Sequence, residues 1–186
     1  KKIDYFYEIS DFNYENELSG LKKSYGYCLN ILENFKIKKN NFLDIGCGNG
    51  FFLEKAKELG WKNVHGVELS IDAIKKANNS IKHKILNQSF ESCNYENNYF
   101  DLIFFAMILE HFTDVNKFLS KVHKILAPGG FIIAITHDEK HFLSKILKNR
   151  HPIVNDEHVC IFNSESLNKI LIKHNYEVLE IKSLKN

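Results

Sequence analysis

The residues best suited to chemistry in this chain are two acids and a run of glycines. Asp44, Gly46, Gly48 and Gly50 fall within LDIGCGNG, residues 43–50, and Glu68 closes the apolar run of NVHGVELS. Glycines let a backbone approach a ligand closely, and a carboxylate beside them welcomes an ammonium group or an ordered water while repelling a pyrophosphate. A dinucleotide loop reads G-x-G-x-x-G, whereas here Gly50 comes one place early and Phe51 fills the third position. That spacing argues against a nicotinamide cofactor and hence against an oxidoreductase. Glu68 lies about twenty residues beyond the loop, where an acid accepts ribose hydroxyls. The pattern suits a ribonucleoside that brings positive charge in place of phosphate.

These residues need rigid elements to hold them. Phe42, Leu43 and Ile45 suit a buried strand over 41–45, and FFLEKAKELG has the apolar spacing and terminal glycine of a helix over 50–59. The same alternation predicts strand 64–68, helix 70–79 with Ser70 as its N-cap, and strand 84–87. Strand 100–106 follows. TDVNKFLSKVHKIL then carries an apolar stripe through Val115, Phe118, Leu119, Val122, Ile125 and Leu126, capped by Thr113 or Asp114, and strand 130–136 comes next. Beyond it, helix 164–174 starts at Ser164, with Leu167 where a capping box would place Glu or Gln, and strand 176–182 ends the pattern. Upstream, LKKSYGYCLNILENF reads as a helix with Leu21, Tyr25, Cys28, Leu29 and Leu32 on one face. Such alternation makes an α/β protein with a parallel sheet, whose ligands bind at the carboxyl ends of the strands. S-adenosylmethionine, with an ammonium, a carboxylate and a sulfonium but no phosphate, matches the charge pattern of the loop.

With those segments in hand, the sequence resembles the class I S-adenosylmethionine-dependent methyltransferases. Beside LDIGCGNG and NVHGVELS, FDLIFFAMILEH (100–111) is similar to the family's fourth strand and following loop, and ILAPGGFIIAIT (125–136) to its L-x-P-G-G turn into the fifth strand. The tail EHVCIFNSESLNKILIKHNYEVLEI is similar to the closing helix and strand of small free-standing bacterial members. The resemblance implies a Rossmann-like, doubly wound, mostly parallel sheet of six or seven strands with helices on both faces. It implies a single domain over 1–186: a helical cap over 1–40, a cofactor-binding core over 41–136, a substrate lid over 137–163, and a closing helix and strand over 164–186. The N-terminal segment reads equally as a fold over the cofactor or as an aromatic strap packed on the sheet.

Carried over residue by residue, the resemblance places Asp44, Gly46, Cys47 and Gly48 beside the methionine part of S-adenosylmethionine, with Gly50 completing the loop. Glu68 falls at the ribose and Leu69 at the adenine face. Ser89 and Phe90 match the loop that edges the adenine, although Ser89 replaces the acid often found there. Ala106 and Met107 approach the sulfonium. Methyl transfer is an in-line attack on an already activated carbon, so holding the nucleophile close, aligned and dry matters more than a strong catalytic group. His111 is the first general-base candidate, because Glu110 and His111 follow the fourth strand at the cofactor's methyl end. The same Glu-His pair reads as a helix cap or loop-fixing device. His137, ending the fifth strand, and His158, in the lid segment, are the other base candidates.

Composition bounds the rest. At 186 residues and 44% hydrophobic, the chain can bury one core, and a net charge of +2, dispersed among acids, lacks the basic stripe of a nucleic-acid binder. A nucleobase amine as acceptor is disfavoured further by AMILEH, since amino-methylating enzymes of nucleic acids resemble Asn or Asp followed by Pro-Pro and an aromatic there. The four cysteines, Cys28, Cys47, Cys93 and Cys160, are scattered with no C-x-x-C pair, which suits a reducing, cytoplasmic setting. HDEKH, residues 137–141, lacks the Glu that must follow the first His of a zinc helix, so no metal is expected. No apolar run reaches the roughly eighteen residues of a membrane span. The sequence therefore reads as a methyltransferase of bacterial biosynthesis that yields S-adenosylhomocysteine and methylates oxygen or nitrogen of a small-molecule or glycan-precursor acceptor. The alternative is a catalytically silent S-adenosylmethionine-binding partner or regulatory subunit.

Overall fold

A computed structural model describes residue 29, residues 32–136 and residues 159–181. The expectations for the cap over residues 1–28 and for most of the lid, residues 137–158, lie outside the described residues. Five strands form one sheet: β1 Asn41–Ile45, β2 Asn63–Glu68, β3 Ile85–Asn87, β4 Phe100–Ala106 and β5 Leu126–Ile135, in the order β3-β2-β1-β4-β5. The pairs β1–β2, β1–β4 and β2–β3 are parallel, with Asp44 opposite Gly66 on one side and Phe104 on the other. The order reverses between β1 and β4, and that switch point is where such sheets bind ligands. The helices are α1 Phe51–Glu58, α2 Ile71–Lys75, α3 Asn79–Lys82, α4 Val115–Ile125 and α5 Ser164–Lys173.

The chain divides into two compact units. Among the described residues the first holds residues 29, 32–105 and 125–133, and the second holds residues 106–124, 134–136 and 159–181. The core of the first unit is aromatic. Phe42 meets Phe52 edge-on with ring centroids 5.7 Å apart and Trp61 at 5.5 Å, and Phe52 meets Phe104 at 4.3 Å. Burying each such ring stabilises the fold by about 1.5–3 kcal/mol. Asp101 fixes the start of β1, its Oδ2 accepting from the amides of Asn40 (3.1 Å) and Asn41 (3.0 Å).

Four expectations are corrected. The sheet has five strands among the described residues, not six or seven, because residues 176–181 run without strand pairing. Instead Asn175 takes a left-handed φ of 62°, and the Tyr176 hydroxyl donates to Leu119 O at 3.2 Å, folding the chain back on α4. The helix expected over 70–79 is two short ones. Asn78 breaks it, its side chain accepting from the Ser80 amide at 2.9 Å to cap α3. The cap of α5 is Asn163, not Ser164: Asn163 Oδ1 accepts from Ser166 N, and Ser166 Oγ accepts from Asn163 N. Finally, β5 begins at Leu126, with the L-x-P-G-G bend inside it. Gly129 has a φ of 74°, and a Cβ at Gly130 would lie 2.8 Å from Ala127 O and 3.0 Å from Phe100 O. The other caps follow the sequence: Ser70 Oγ accepts from Ala73 N at 3.2 Å, and Asp114 accepts from Lys117 N at 3.0 Å.

Candidate functional site

The glycine loop leaves β1 at its carboxyl end and is laced to β2 by backbone. The amides of Gly46 and Cys47 both donate to Val67 O, at 2.8 Å and 3.1 Å, and Gly50 N donates to Cys47 O at 2.9 Å before α1 begins. Gly46, Gly48 and Gly50 have φ values of 76°, 56° and 76°, a region that side chains other than glycine rarely adopt. The glycines differ in what surrounds them. Gly46 is exposed, whereas a Cβ on Gly50 would collide with Ile81 Cδ1, so Gly50 serves the packing of α1 on the sheet.

Glu68 joins the two strand ends. Its Oε2 accepts from Gly48 N at 2.8 Å and its Oε1 from Ser70 N at 2.8 Å. Glu68 is paired in register with Asn87, whose Nδ2 donates to Glu68 O (3.1 Å) and Leu69 O (2.9 Å) and so fixes the turn after β2. Asp44 is 3% exposed, and burial, reinforced by the negative charge of Glu68, pushes its carboxyl well above the ordinary range. None of the described residues donates a hydrogen bond to its side chain. Neither acid forms an ion pair with a Lys, Arg or His among the described residues. Burial, then Asp44 and Glu68, also raise the Cys47 thiol, so this sulfur is held neutral and unreactive. It packs inward: a Cβ on Gly66 would stand 2.6 Å from Cys47 Sγ.

Two buried acids short of a cation, three left-handed glycines and the exposed Leu69, 44% accessible, form a donor set that fits a positively charged ribonucleoside. Ser89 is half-buried with its Oγ 3.0 Å from Ser92 Oγ, and Phe90 is buried. Three contributors escaped the sequence reading. The backbone amide of Ser70 and the side chain of Asn87 show no local signature. Gly66 did leave one, since a glycine inside an apolar strand marks a close approach.

The β4 exit belongs to the second unit. Ala106 ends β4, and Met107 has a φ of 53° with its amide donating to Ile135 O at 2.8 Å. A non-glycine residue held this way costs of order 1–3 kcal/mol, a strain common where a backbone must be aimed. Leu109–His111 form a 3-10 turn. In it Glu110 is buried, its Oε2 accepting from Thr136 Oγ1 (3.2 Å) and its carbonyl from Val159 N (2.8 Å) and Cys160 N (3.3 Å). Glu110 thereby ties three stretches of chain together. His111 is partly exposed, and its amide donates to Ile108 O at 3.0 Å. His137 and His158 lie outside the described residues.

Fold and loop together define an α/β protein whose glycine-rich turn sits at the switch point between β1 and β4. A family model described as a methyltransferase domain matches residues 21–181. The chain belongs to the class I S-adenosylmethionine-dependent methyltransferase family, and S-adenosylmethionine is that family's cofactor. It is 30% identical over 142 residues to norajmaline N-methyltransferase of Rauvolfia serpentina, covering 64% of this chain and 48% of that protein. It is 32% identical over 108 residues to a ubiquinone biosynthesis O-methyltransferase of Bartonella tribocorum, covering 56% and 42%. The chain thus spans less than half the length of these two relatives. Among solved structures, an S-adenosylmethionine-dependent methyltransferase from Archaeoglobus fulgidus has the same fold. It aligns with a TM-score of 0.66 at 21% identity over 83% of this chain and 69% of that one. Phosphoethanolamine N-methyltransferase 2 of Haemonchus contortus, in complex with S-adenosylmethionine, aligns with a TM-score of 0.57 at 24% identity over 78% and 35%.

Proposed function

We propose that this chain transfers a methyl group from S-adenosylmethionine to oxygen or nitrogen of a small-molecule or sugar-type acceptor in a biosynthetic reaction. The observation that carries the reading is the buried Asp44–Glu68 pair at the ends of β1 and β2, without a cation among the described residues. Asp44 and the backbone of Gly46, Cys47 and Gly48 hold the amino-acid end, and the spare lone pairs of Glu68 take the ribose hydroxyls. Leu69 covers the adenine, with Ser89 and Phe90 at its edge. Bound there, the cofactor supplies a methyl already activated by sulfonium. The chain's task is then to orient the acceptor and exclude water, with Ala106 and Met107 bordering the transfer and His111, His137 or His158 taking the acceptor's proton. Relatives named for N- and for O-methylation support both acceptor atoms.

The test is a thermal-shift titration with S-adenosylhomocysteine followed by a turnover assay across hydroxyl and amine acceptors. Asp44→Ala and Glu68→Ala should each remove most of the ligand-induced shift. If both keep the full shift, the site lies elsewhere. Tight binding with no S-adenosylhomocysteine formed on any acceptor would instead favour a silent binding subunit.

A further inference from the structure

Asp44 poses a problem that the binding role alone does not solve. Asp44 as a whole residue is 3% exposed, and its carboxyl accepts no hydrogen bond from any described residue. Its neighbours across the sheet are Gly66 on β2 and Phe104 on β4, neither of which offers a charge or a side-chain donor. The charged or titratable groups that act on this corner are Glu68 at the end of β2 and the Cys47 thiol in the glycine loop. Each oxygen of Glu68 accepts from a backbone amide, Oε2 from Gly48 N and Oε1 from Ser70 N. Two like charges in one buried corner, only one of them solvated by amides, cannot both persist without a counter-ion.

Resting on the cofactor-site reading above, we propose that Asp44 exchanges a proton for the ligand's positive charge and thereby sets the site's selectivity for cationic nucleosides. In the ligand-free protein the Asp44 carboxyl carries its hydrogen. When an ammonium-bearing ligand enters, the Asp44 O–H bond breaks, the proton leaves to bulk buffer, and the carboxylate that remains faces the incoming cation. One proton leaves for each ligand bound. A neutral nucleoside gives Asp44 no reason to ionise and binds without that exchange. Affinity for the charged ligand therefore rises with pH until Asp44 is ionised beforehand, while affinity for the neutral one stays level.

Calorimetric titration of the full chain with S-adenosylhomocysteine, in two buffers of different ionisation enthalpy at one pH, reads the proton directly. Repeated as pH is raised above the ordinary carboxylate range, the limb below the Asp44 ionisation should show affinity rising by up to about tenfold per pH unit. 5′-Methylthioadenosine, which lacks the ammonium, should give buffer-independent heats. Asp44→Asn, which mimics the protonated carboxyl, should bind S-adenosylhomocysteine more weakly, with buffer-independent heats and a flat pH profile. Should that variant fail to fold, the two-ligand comparison on the unmodified chain decides alone. Firm binding of S-adenosylhomocysteine with equal heats in both buffers and no pH dependence overturns the exchange and leaves the site reading standing. Equal proton release by 5′-methylthioadenosine overturns the exchange too. Absence of S-adenosylhomocysteine binding at every pH overturns the site reading and the exchange together.

Discussion

A methyl group placed on Gly66 would meet Cys47 Sγ at 2.6 Å, Leu53 Cδ1 at 2.8 Å and Ile85 Cγ1 at 3.2 Å. Two of these contacts lie below 3.0 Å, so the side chains of Cys47 and Leu53 must shift to admit the methyl. Gly66→Ala should therefore cost about 1–3 kcal/mol, read as a lower urea midpoint. Adding Cys47→Ala should recover part of the loss, since the two sites share one space. An unchanged midpoint in the single variant would show that the loop yields. Asp44 sits nearby with the opposite relation to stability. Burial and then Glu68 raise its carboxyl, so above the ordinary carboxylate range the unfolded chain releases a proton that the fold retains. Stability from this group falls as pH rises from about 3.9 through its folded value. Asp44→Asn should melt higher than the parent at neutral pH without ligand, and a lower melting point there would contradict it. His65 carries the reverse sign: burial, then Lys84, lower its ring below the usual value. Its ring stands 5.4 Å from that of Phe100 and 5.7 Å from that of Tyr99. The fold holds it neutral while the unfolded chain takes up a proton, so its contribution is intact above about pH 6.5 and declines below. Urea midpoints at acid and neutral pH should differ less for His65→Phe than for the parent; an equal difference would remove His65 from the account.

Caps show how far an element can be read before its surroundings are known. Asn163 and Ser166 form a reciprocal box at the start of α5. Asn163→Ala should cost about 1 kcal/mol, whereas Ser164→Ala, one residue inside the helix, should move the melting point little. Equal losses would mean that the cap is shared. The sequence pointed to Ser164 because serine is a common cap, and it could not show which oxygen reaches an amide. Similar logic separates the rest. Strands β1, β2 and β4 and helix α1 were legible because their apolar runs, glycines and lengths agree with one another. The break at Asn78 was not, because the outcome rests on one side chain competing for the Ser80 amide. Nor was the fate of residues 176–181. Their alternation suits a strand, but the Tyr176 bond to Leu119 O is a tertiary choice. At the site, Asp44, Glu68 and the glycines announced themselves through local spacing. Asn87 owes its role to register, opposite Glu68, and register is written in the pairing of strands distant in sequence.

For the molecule as a whole, a ligand that binds only the folded chain adds stability by mass action, about 2.7 kcal/mol at a hundredfold excess over its dissociation constant. In a chain of 186 residues each kcal/mol moves the melting point by about 2–4 °C, so S-adenosylhomocysteine at that excess should raise it by roughly 5–11 °C. Where the protection falls is more telling than how large it is. The two acids and the glycine loop belong to the first compact unit, and the β4 exit from Ala106 onward to the second. Hydrogen exchange should accordingly slow at the amides of Gly46, Cys47, Gly48 and Ser70, whose acceptors are Val67 O and the Glu68 carboxylate. The amides of Met107, Val159 and Cys160, bonded to Ile135 O and Glu110 O, report separately on the second unit. Ligand held by Asp44 and Glu68 must protect the first set, because opening those amides dismantles the corner that grips it. A gain confined to the second set would move the binding site to the β4 exit and strip the two acids of their role.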